Sequence, residues 1–283
     1  MKSALIMEGG AMRGMFTCGV IDVLMERGIE FDAAAGISAG AVFGCNFKSR
    51  QIGRPIRYNK KYCRDPRYCS FRSLLRTGNL YGADFCYREL PDELDLFDYK
   101  TYRENPMPFY AGATDIRTGE ILYRDCKTGT GDDMEWLRAS ASMPLVSTPV
   151  SVGGRLLLDG GIVEALPYAY MQNLGYDRNV LVMTQPKGYR KEKGNNLPLI
   201  RIMYRKYPKI VEAMSVRHER YNRLMDRIDR DEADGKILVI RPEGSLGMKR
   251  IEKDPEVLER AYRTGREVTE RRMNEVRDYL KNG

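Results

Sequence analysis

The chain has 283 residues, 42% of them hydrophobic and 30% charged, with 27 glycines, 13 prolines, six cysteines and one histidine. That length suits one large domain or two small ones with a sizeable core, and apolar runs recurring from end to end exclude intrinsic disorder. The net charge of +8 is concentrated: residues 48–76 carry a local +9 and residues 187–209 a local +7, so the rest of the chain is 8 units negative.

Residues 4–7 read as a short buried strand ending at Glu8, followed by the loop GGAMRG over residues 9–14. A helix is expected next, because Phe16, Val20, Val23, Leu24 and Arg27 share one face and Gly28 supplies a stop. Residues 33–37 form a second apolar strand, then comes Ser38, then a small-residue helix over 39–47. Strand, helix and strand in so short a span make a βαβ unit with parallel strands and a right-handed crossover. Both loops therefore open at the carboxyl edge of the sheet, where open α/β sheets hold ligands.

Residues 48–108 are basic and tyrosine-rich and predict an irregular or helical excursion over the sheet. Strands are expected at 109–113 and 121–123, and a helix over 132–142 before Pro144. Gly153 and Gly154 between apolar flanks signal a hairpin within 150–159. A helix over 166–174 closed by Gly175 and a buried strand over 180–184 follow. Beyond the second basic stretch the pattern predicts a charged amphipathic helix over 210–228 and a strand over 236–241. A final helix follows, with Asp254 as N-cap, Pro255 at its first position and an apolar stripe of Leu258, Tyr262, Val268, Val276 and Tyr279. No apolar run reaches the ~18 residues of a bilayer span. The N-terminal stretch lacks a signal-peptide pattern, so a soluble, cytoplasmic chain with reduced structural thiols is expected.

Gly36-Ile37-Ser38-Ala39-Gly40 is a GxSxG pentapeptide set between an apolar strand and a small-residue helix. That is the setting of a nucleophile elbow, in which a sharp turn exposes the serine and the glycines leave room for it. The loop 9–14 has the spacing of a phosphate loop, but Met15 and Phe16 stand where lysine and serine or threonine would hold phosphate and magnesium. Its backbone N–H groups at a helix start remain an anion site, and beside a nucleophilic serine the anion is a tetrahedral oxyanion. Two residues compete as base. His218 completes a Ser–Asp–His chain order but lies in a charged helical run that reads as a solvated face; Asp159 ends an apolar strand before Gly160 and Gly161, a position equally suited to a plain turn. The six cysteines contain no CxxC pair and make no zinc set with a lone histidine.

The three segments GGAMRG at Gly9, GISAG at Gly36 and DGG at Asp159, in this order and each after a strand, resemble the patatin-like phospholipases, as does ASASMP over 139–144. The resemblance covers about residues 3–185. It implies a three-layer α/β/α fold with a mainly parallel central sheet, extended by a helical C-terminal part. The catalytic core would be 1–185 with the basic insertion at 48–108, and the extension 186–283 would pack on that core. It implies a Ser–Asp dyad without histidine acting on acyl esters of lipids, with Ser38 as nucleophile and Asp159 as base. The N–H groups of Gly10 and Ala11, with Arg13, would form the oxyanion hole. Gly9, Gly14, Gly36, Gly40, Gly160 and Gly161 are the motif glycines. Ala11 departs from the family, which usually has glycine there. No metal or organic cofactor is required. The basic stretches suit an anionic membrane surface contacted peripherally; the competing expectation is a non-enzymatic nucleic-acid or phosphate-binding protein using the same arginines and tyrosines.

Overall fold

The computed structural model describes residues 1–281. In chain order it runs β1 (Lys2–Met7), α1 (Gly14–Glu26), β2 (Ala33–Ile37), α2 (Ala39–Lys48), α3 (Arg54–Tyr62), α4 (Phe71–Thr77), a π-helix (Phe85–Leu94), α5 (Tyr99–Glu104), β3 (Phe109–Asp115), β4 (Ile121–Asp125) and α6 (Asp132–Ser140). It continues through β5 (Val150–Val152), β6 (Arg155–Asp159), α7 (Tyr168–Asn173), β7 (Tyr176–Val182), α8 (Leu197–Met203), α9 (Pro208–Ser215), α10 (Arg217–Ala233), β8 (Ile237–Ile240), α11 (Pro255–Arg271) and α12 (Met273–Lys281).

One sheet has the order β5-β6-β3-β2-β1-β7-β8, with β4 paired to β3. The pairs β3–β2, β2–β1, β1–β7 and β7–β8 are parallel, and the β5–β6 hairpin joins β3 antiparallel. Side chains along β1 alternate between the faces. Leu5 and Met7 join α1, α2, α6, α11 and α12 in one core, whereas Ala4 and Ile6 face α7 and α10 in another. Helices thus cover both faces, which gives the three-layer α/β/α arrangement and explains why the central strands read as unbroken apolar runs.

Helix α11 lies against α1 through glycines. A Cβ on Gly19 would stand 2.0 Å from the Tyr262 carbonyl oxygen, and one on Gly265 would stand 2.1 Å from that of Phe16. Polar clasps flank this crossing: the Tyr262 hydroxyl donates to buried Asp22 at 2.8 Å, and Arg266 pairs with Glu26 at 2.6 Å.

Three expectations need correction. The helix expected over 210–228 is two, α9 and α10, broken at Val216, and the final helix is broken at Arg272. Apolar periodicity runs on across both breaks; the departures come from tertiary bonds, Arg217 to the Gly161 carbonyl and Arg272 to the Val239 carbonyl. His218 does not stand on a solvated face: its side chain is 21% exposed and lines a cavity beside Ser38. Finally, many cations of the first basic stretch are used internally. Arg50 pairs with Glu30, Arg54 and Arg57 with Asp95, Lys60 with Glu259 and Arg67 with Asp65 and Glu89, while Lys48 stacks over the Tyr102 ring. No helix of the described residues is long and apolar enough to cross a membrane.

Candidate active site

Ser38 sits where β2 turns into α2, with φ 53° and ψ −120°. A non-glycine residue in that region is strained by about 1–3 kcal/mol and persists only where its surroundings fix it. The flanking glycines do so. A Cβ on Gly36 would lie 2.3 Å from the Gly40 carbonyl oxygen, and one on Gly40 would lie 2.3 Å from that of Met7, so β1, β2 and α2 converge at van der Waals distance only without side chains there. The Ser140 hydroxyl, from the 139–144 segment, accepts the Ser38 N–H at 3.0 Å.

Asp159 ends β6 and is buried. Its N–H donates to the Ser142 carbonyl at 2.9 Å, so the 139–144 segment braces Ser38 and Asp159 alike. Oδ1 accepts the Gly161 N–H at 2.7 Å, which explains the glycines after it. Gly160 also packs against β3, since a Cβ there would be 2.5 Å from the Gly112 carbonyl oxygen. Oδ2 is buried without a hydrogen bond of regular geometry, yet the Ser38 hydroxyl is near enough to stabilise the carboxylate. Burial pushes the carboxyl up to about 6, against the opposing effects of the Ser38 hydroxyl, the Gly161 amide, Arg217 and Lys191.

The loop after β1 passes over this pair: a Cβ on Gly9 would be 3.1 Å from the Ser38 Cβ. Gly10 rests on Thr184, where a Cβ would meet Oγ1 at 2.5 Å. Thr184 is itself held by Glu8, which accepts its N–H at 2.6 Å and its hydroxyl at 2.9 Å. Neither the Gly10 nor the Ala11 N–H donates to another group among the described hydrogen bonds. Ala11 has φ 51°, the left-handed region favoured by glycine, and lines the cavity. Arg13 is not part of the cavity lining, and its Nε is buried without a hydrogen-bond partner. Gly14 packs on Phe43, bringing α1 against α2.

The cavity measures about 790 Å³ and opens on Ser38. One wall is apolar, built from Val42, Phe43, Leu80, Leu90, Leu137 and Met143. Another is cationic, with Lys191, Arg217 and Arg250 beside His218. An apolar pocket with a few convergent polar groups is the shape of a ligand site, and these dimensions suit an acyl chain with a polar head.

A family model described as patatin-like phospholipase matches residues 5–171, more than half of the chain. The chain belongs to the patatin-like phospholipase family. A second model, described as a domain of unknown function (DUF6363), matches residues 207–281. Similar proteins include an uncharacterized NTE family protein of Mycobacterium tuberculosis, 31% identical over 185 residues that make up 64% of this chain and 48% of the relative. The lysophospholipase nte1 of Emericella nidulans is 28% identical over 61% of this chain and 11% of its own length. The chain thus spans about half the length of the mycobacterial relative and a ninth of the fungal one. The crystal structure of VipD from Legionella pneumophila aligns with a TM-score of 0.49 and 13% identity, over 97% of this chain and 67% of that one. The patatin-like segment contains Ser38, Asp159 and the loop at Gly9.

Sequence reasoning passed over the cationic wall. Lys191, Arg217 and Arg250 come from three separate segments outside the patatin-like match, and no local spacing links them. Ser140 and Ser142 stood in a segment singled out only by resemblance; their bracing of both site residues is a tertiary feature.

Proposed function

We propose that the chain is a serine acyl hydrolase that cleaves acyl esters of lipids through Ser38 and Asp159. The Ser38 oxygen bonds to the ester carbonyl carbon while its proton passes to the Asp159 carboxylate. The N–H groups of Gly10 and Ala11 hold the tetrahedral oxyanion, with Arg13 adding positive charge nearby. Collapse breaks the bond to the alcohol, which leaves with the proton from Asp159. Water then attacks the acyl-enzyme, giving its proton to the same carboxylate; collapse breaks the bond to the Ser38 oxygen, which takes that proton back from Asp159 as the fatty acid is released.

The observation that carries this reading is the strained Ser38 turn set against a buried carboxyl raised to about 6, at the wall of a largely apolar cavity. A carboxyl near the working pH accepts a proton far better than an ordinary aspartate. Turnover of a short-chain nitrophenyl ester by the purified chain tests it. Ser38→Ala and Asp159→Asn are expected to be inactive and His218→Ala active. The reverse ranking of Asp159 and His218 refutes the dyad, and no turnover of any acyl ester refutes the enzyme.

The proposal includes a lipid-facing surface at α4 and α8. These helices flank the segment 143–148, which contributes to the cavity rim, and leave Phe71 75%, Leu75 89% and Ile202 71% exposed. Arg72, Arg76, Arg201, Arg205 and Lys206 lie among them, without a salt bridge among the described residues. Apolar tips among unpaired cations suit an anionic bilayer contacted peripherally. Salt bridges of Arg50, Arg54, Arg57, Lys60, Arg67, Lys187, Arg190 and Lys209 within the chain weigh against the nucleic-acid reading.

A further inference from the structure

Among the described residues that line the Ser38 cavity, Glu192 is the one acidic side chain, and it is exposed. The basic ones divide into two kinds. Arg54, Arg138 and Arg190 are tied to carboxylates, Arg190 to Asp226 at 2.7 Å and to Asp229 at 3.0 Å. Lys191, Lys193, Arg217 and Arg250 have no salt-bridge partner among the described residues, and of these Lys191, Arg217 and Arg250 lie close enough to repel one another.

These three are held together rather than splayed. The Lys191 backbone is clamped by Asn222, whose amide accepts the Lys191 N–H at 2.8 Å and donates to its carbonyl at 3.0 Å; the ammonium lies 3.7 Å from the Tyr221 ring centre. Arg217 donates Nε to the Gly161 carbonyl at 2.6 Å. It opens the 17-residue α10, whose N-terminal dipole adds positive potential. The Arg250 carbonyl accepts the Met12 N–H from the loop beside Ser38. The nearby carboxylates are already engaged, Asp159 by the Gly161 amide and Glu8 by Thr184 and by the Tyr221 hydroxyl at 2.9 Å. Burial, with Arg217, Arg13 and Arg250 close by, drives the Lys191 ammonium down to about 7. Partly buried cations without a salt-bridge partner, set close to one another, are unfavourable by themselves and are relieved when an anion enters.

We propose that Lys191, Arg217 and Arg250 form a phosphate subsite of the catalytic cavity, which receives the headgroup phosphate of an acyl-ester lipid. The inference rests on the acyl-hydrolase reading of Ser38. Arg217 bonds to Gly161, whose amide bonds to Asp159, so the phosphate is held within a few bonds' length of the ester under attack, as in a glycerol-based lysophospholipid. Arg217 and Arg250 fall inside the segment that matches a domain of unknown function, and Lys191 precedes it. That segment thereby supplies headgroup recognition to a cavity whose reacting groups come from the patatin-like part.

The test compares two lipids with the same acyl chain, oleoyl lysophosphatidate and monooleoylglycerol, below their aggregation concentrations. Calorimetry on the full chain carrying Ser38→Ala is expected to show at least about tenfold tighter binding of the phosphate-bearing lipid. Lys191→Met or Arg250→Met, added separately, is expected to erase most of that preference; Arg250 is exposed, so its replacement leaves the fold intact. Equal binding of the two lipids, or variants that weaken both alike, overturns the subsite. Inorganic phosphate bound as tightly as lysophosphatidate makes this a free-phosphate site and overturns the headgroup assignment. Failure of the unsubstituted chain to hydrolyse either lipid, with the binding preference intact, refutes the hydrolase reading and leaves the subsite standing.

Discussion

Ser38 and Asp159 meet because β2 and β6 lie end to end along one edge of β3: Ile37, the last residue of β2, pairs with Gly112, and Asp159, the last of β6, pairs with Ala113, while β4 fills the opposite edge from Tyr110 to Thr114. The two strand ends therefore face each other at neighbouring residues of β3. Gly112 stands at this junction, where a Cβ would sit 2.4 Å from the Ile37 Cδ1. The antiparallel run of β6 in a mainly parallel sheet brings an aspartate at a strand's end to the serine turn.

The raised Asp159 carboxyl sets the pH behaviour of both activity and stability. Ester turnover, measured as kcat/KM, is expected to fall about tenfold per pH unit below pH 6, as the base is protonated. The folded-state value lies above the unfolded one. The carboxyl therefore favours folding below about pH 4, and that contribution is lost as pH rises through about 6. Asp159→Asn keeps an acceptor for the Gly161 amide and removes the buried charge. It is expected to lose activity by about 10³-fold or more yet to be more stable than the unsubstituted chain by about 3 kcal/mol at pH 8, with no difference at pH 4. Denaturant titrations at the two pH values decide it; a less stable variant at pH 8 contradicts the electrostatic account.

Ala11 provides a second separable effect. Its φ of 51° is costly for an alanine by about 1 kcal/mol, and its methyl lies on the cavity wall beside the proposed oxyanion donors. Ala11→Gly is expected to raise the melting temperature by about 2 °C after the loss of backbone freedom in the unfolded chain is set against the relieved strain. It is also expected to increase the relative rate on bulky esters over acetate esters. A shift toward small esters instead would place the methyl away from the acyl group.

The sequence made the reacting end of the molecule legible and the binding end opaque. GxSxG, the Gly9 loop and Asp159 with Gly160 and Gly161 were visible because each is short, sits at a strand end and demands glycine for local reasons. The parallel strands of the β1–α1–β2 unit followed from strand–helix alternation; the three layers were implied only by the resemblance, and the alternate facing of side chains along β1 accounts for them. The breaks at Val216 and Arg272 were hidden because the apolar stripe continues through them, and the bonds that break the helices join residues remote in the chain. His218 was misjudged for the same reason: flanking charges look solvated unless the Arg217 bond to Gly161 turns the start of α10 inward. Gly19 and Gly265, each inside a helix, were the missed signal of a close backbone approach.

That glycine crossing is expected to be intolerant of the smallest addition. Gly265→Ala places a methyl 2.1 Å from the Phe16 carbonyl oxygen, and helix propensity alone would favour alanine by about 1 kcal/mol. The clash with backbone has no flexible side chain to absorb it, so overpacking is expected to win and cost about 2 kcal/mol net. Thermal denaturation measures it; a stabilised variant would mean that α11 shifts freely on α1.

The exposed apolar tips make the last prediction. Leu75 on α4 and Ile202 on α8 stand outside the cavity, at 89% and 71% exposure. Fully burying such a side chain in a lipid interface is worth about 1.5–3 kcal/mol, of which partial insertion realises a fraction. The double variant Leu75→Asp, Ile202→Asp is expected to bind phosphatidylglycerol-containing vesicles at least about tenfold more weakly, and to lose more rate on vesicle lipid than on a soluble nitrophenyl ester. Because Arg72, Arg76, Arg201, Arg205 and Lys206 supply the electrostatic part, binding of the unsubstituted chain is expected to weaken as salt rises. Neutral phosphatidylcholine vesicles are expected to bind more weakly than anionic ones at low salt. Equal binding to both, or a double variant that keeps full affinity, removes α4 and α8 as the membrane-facing surface.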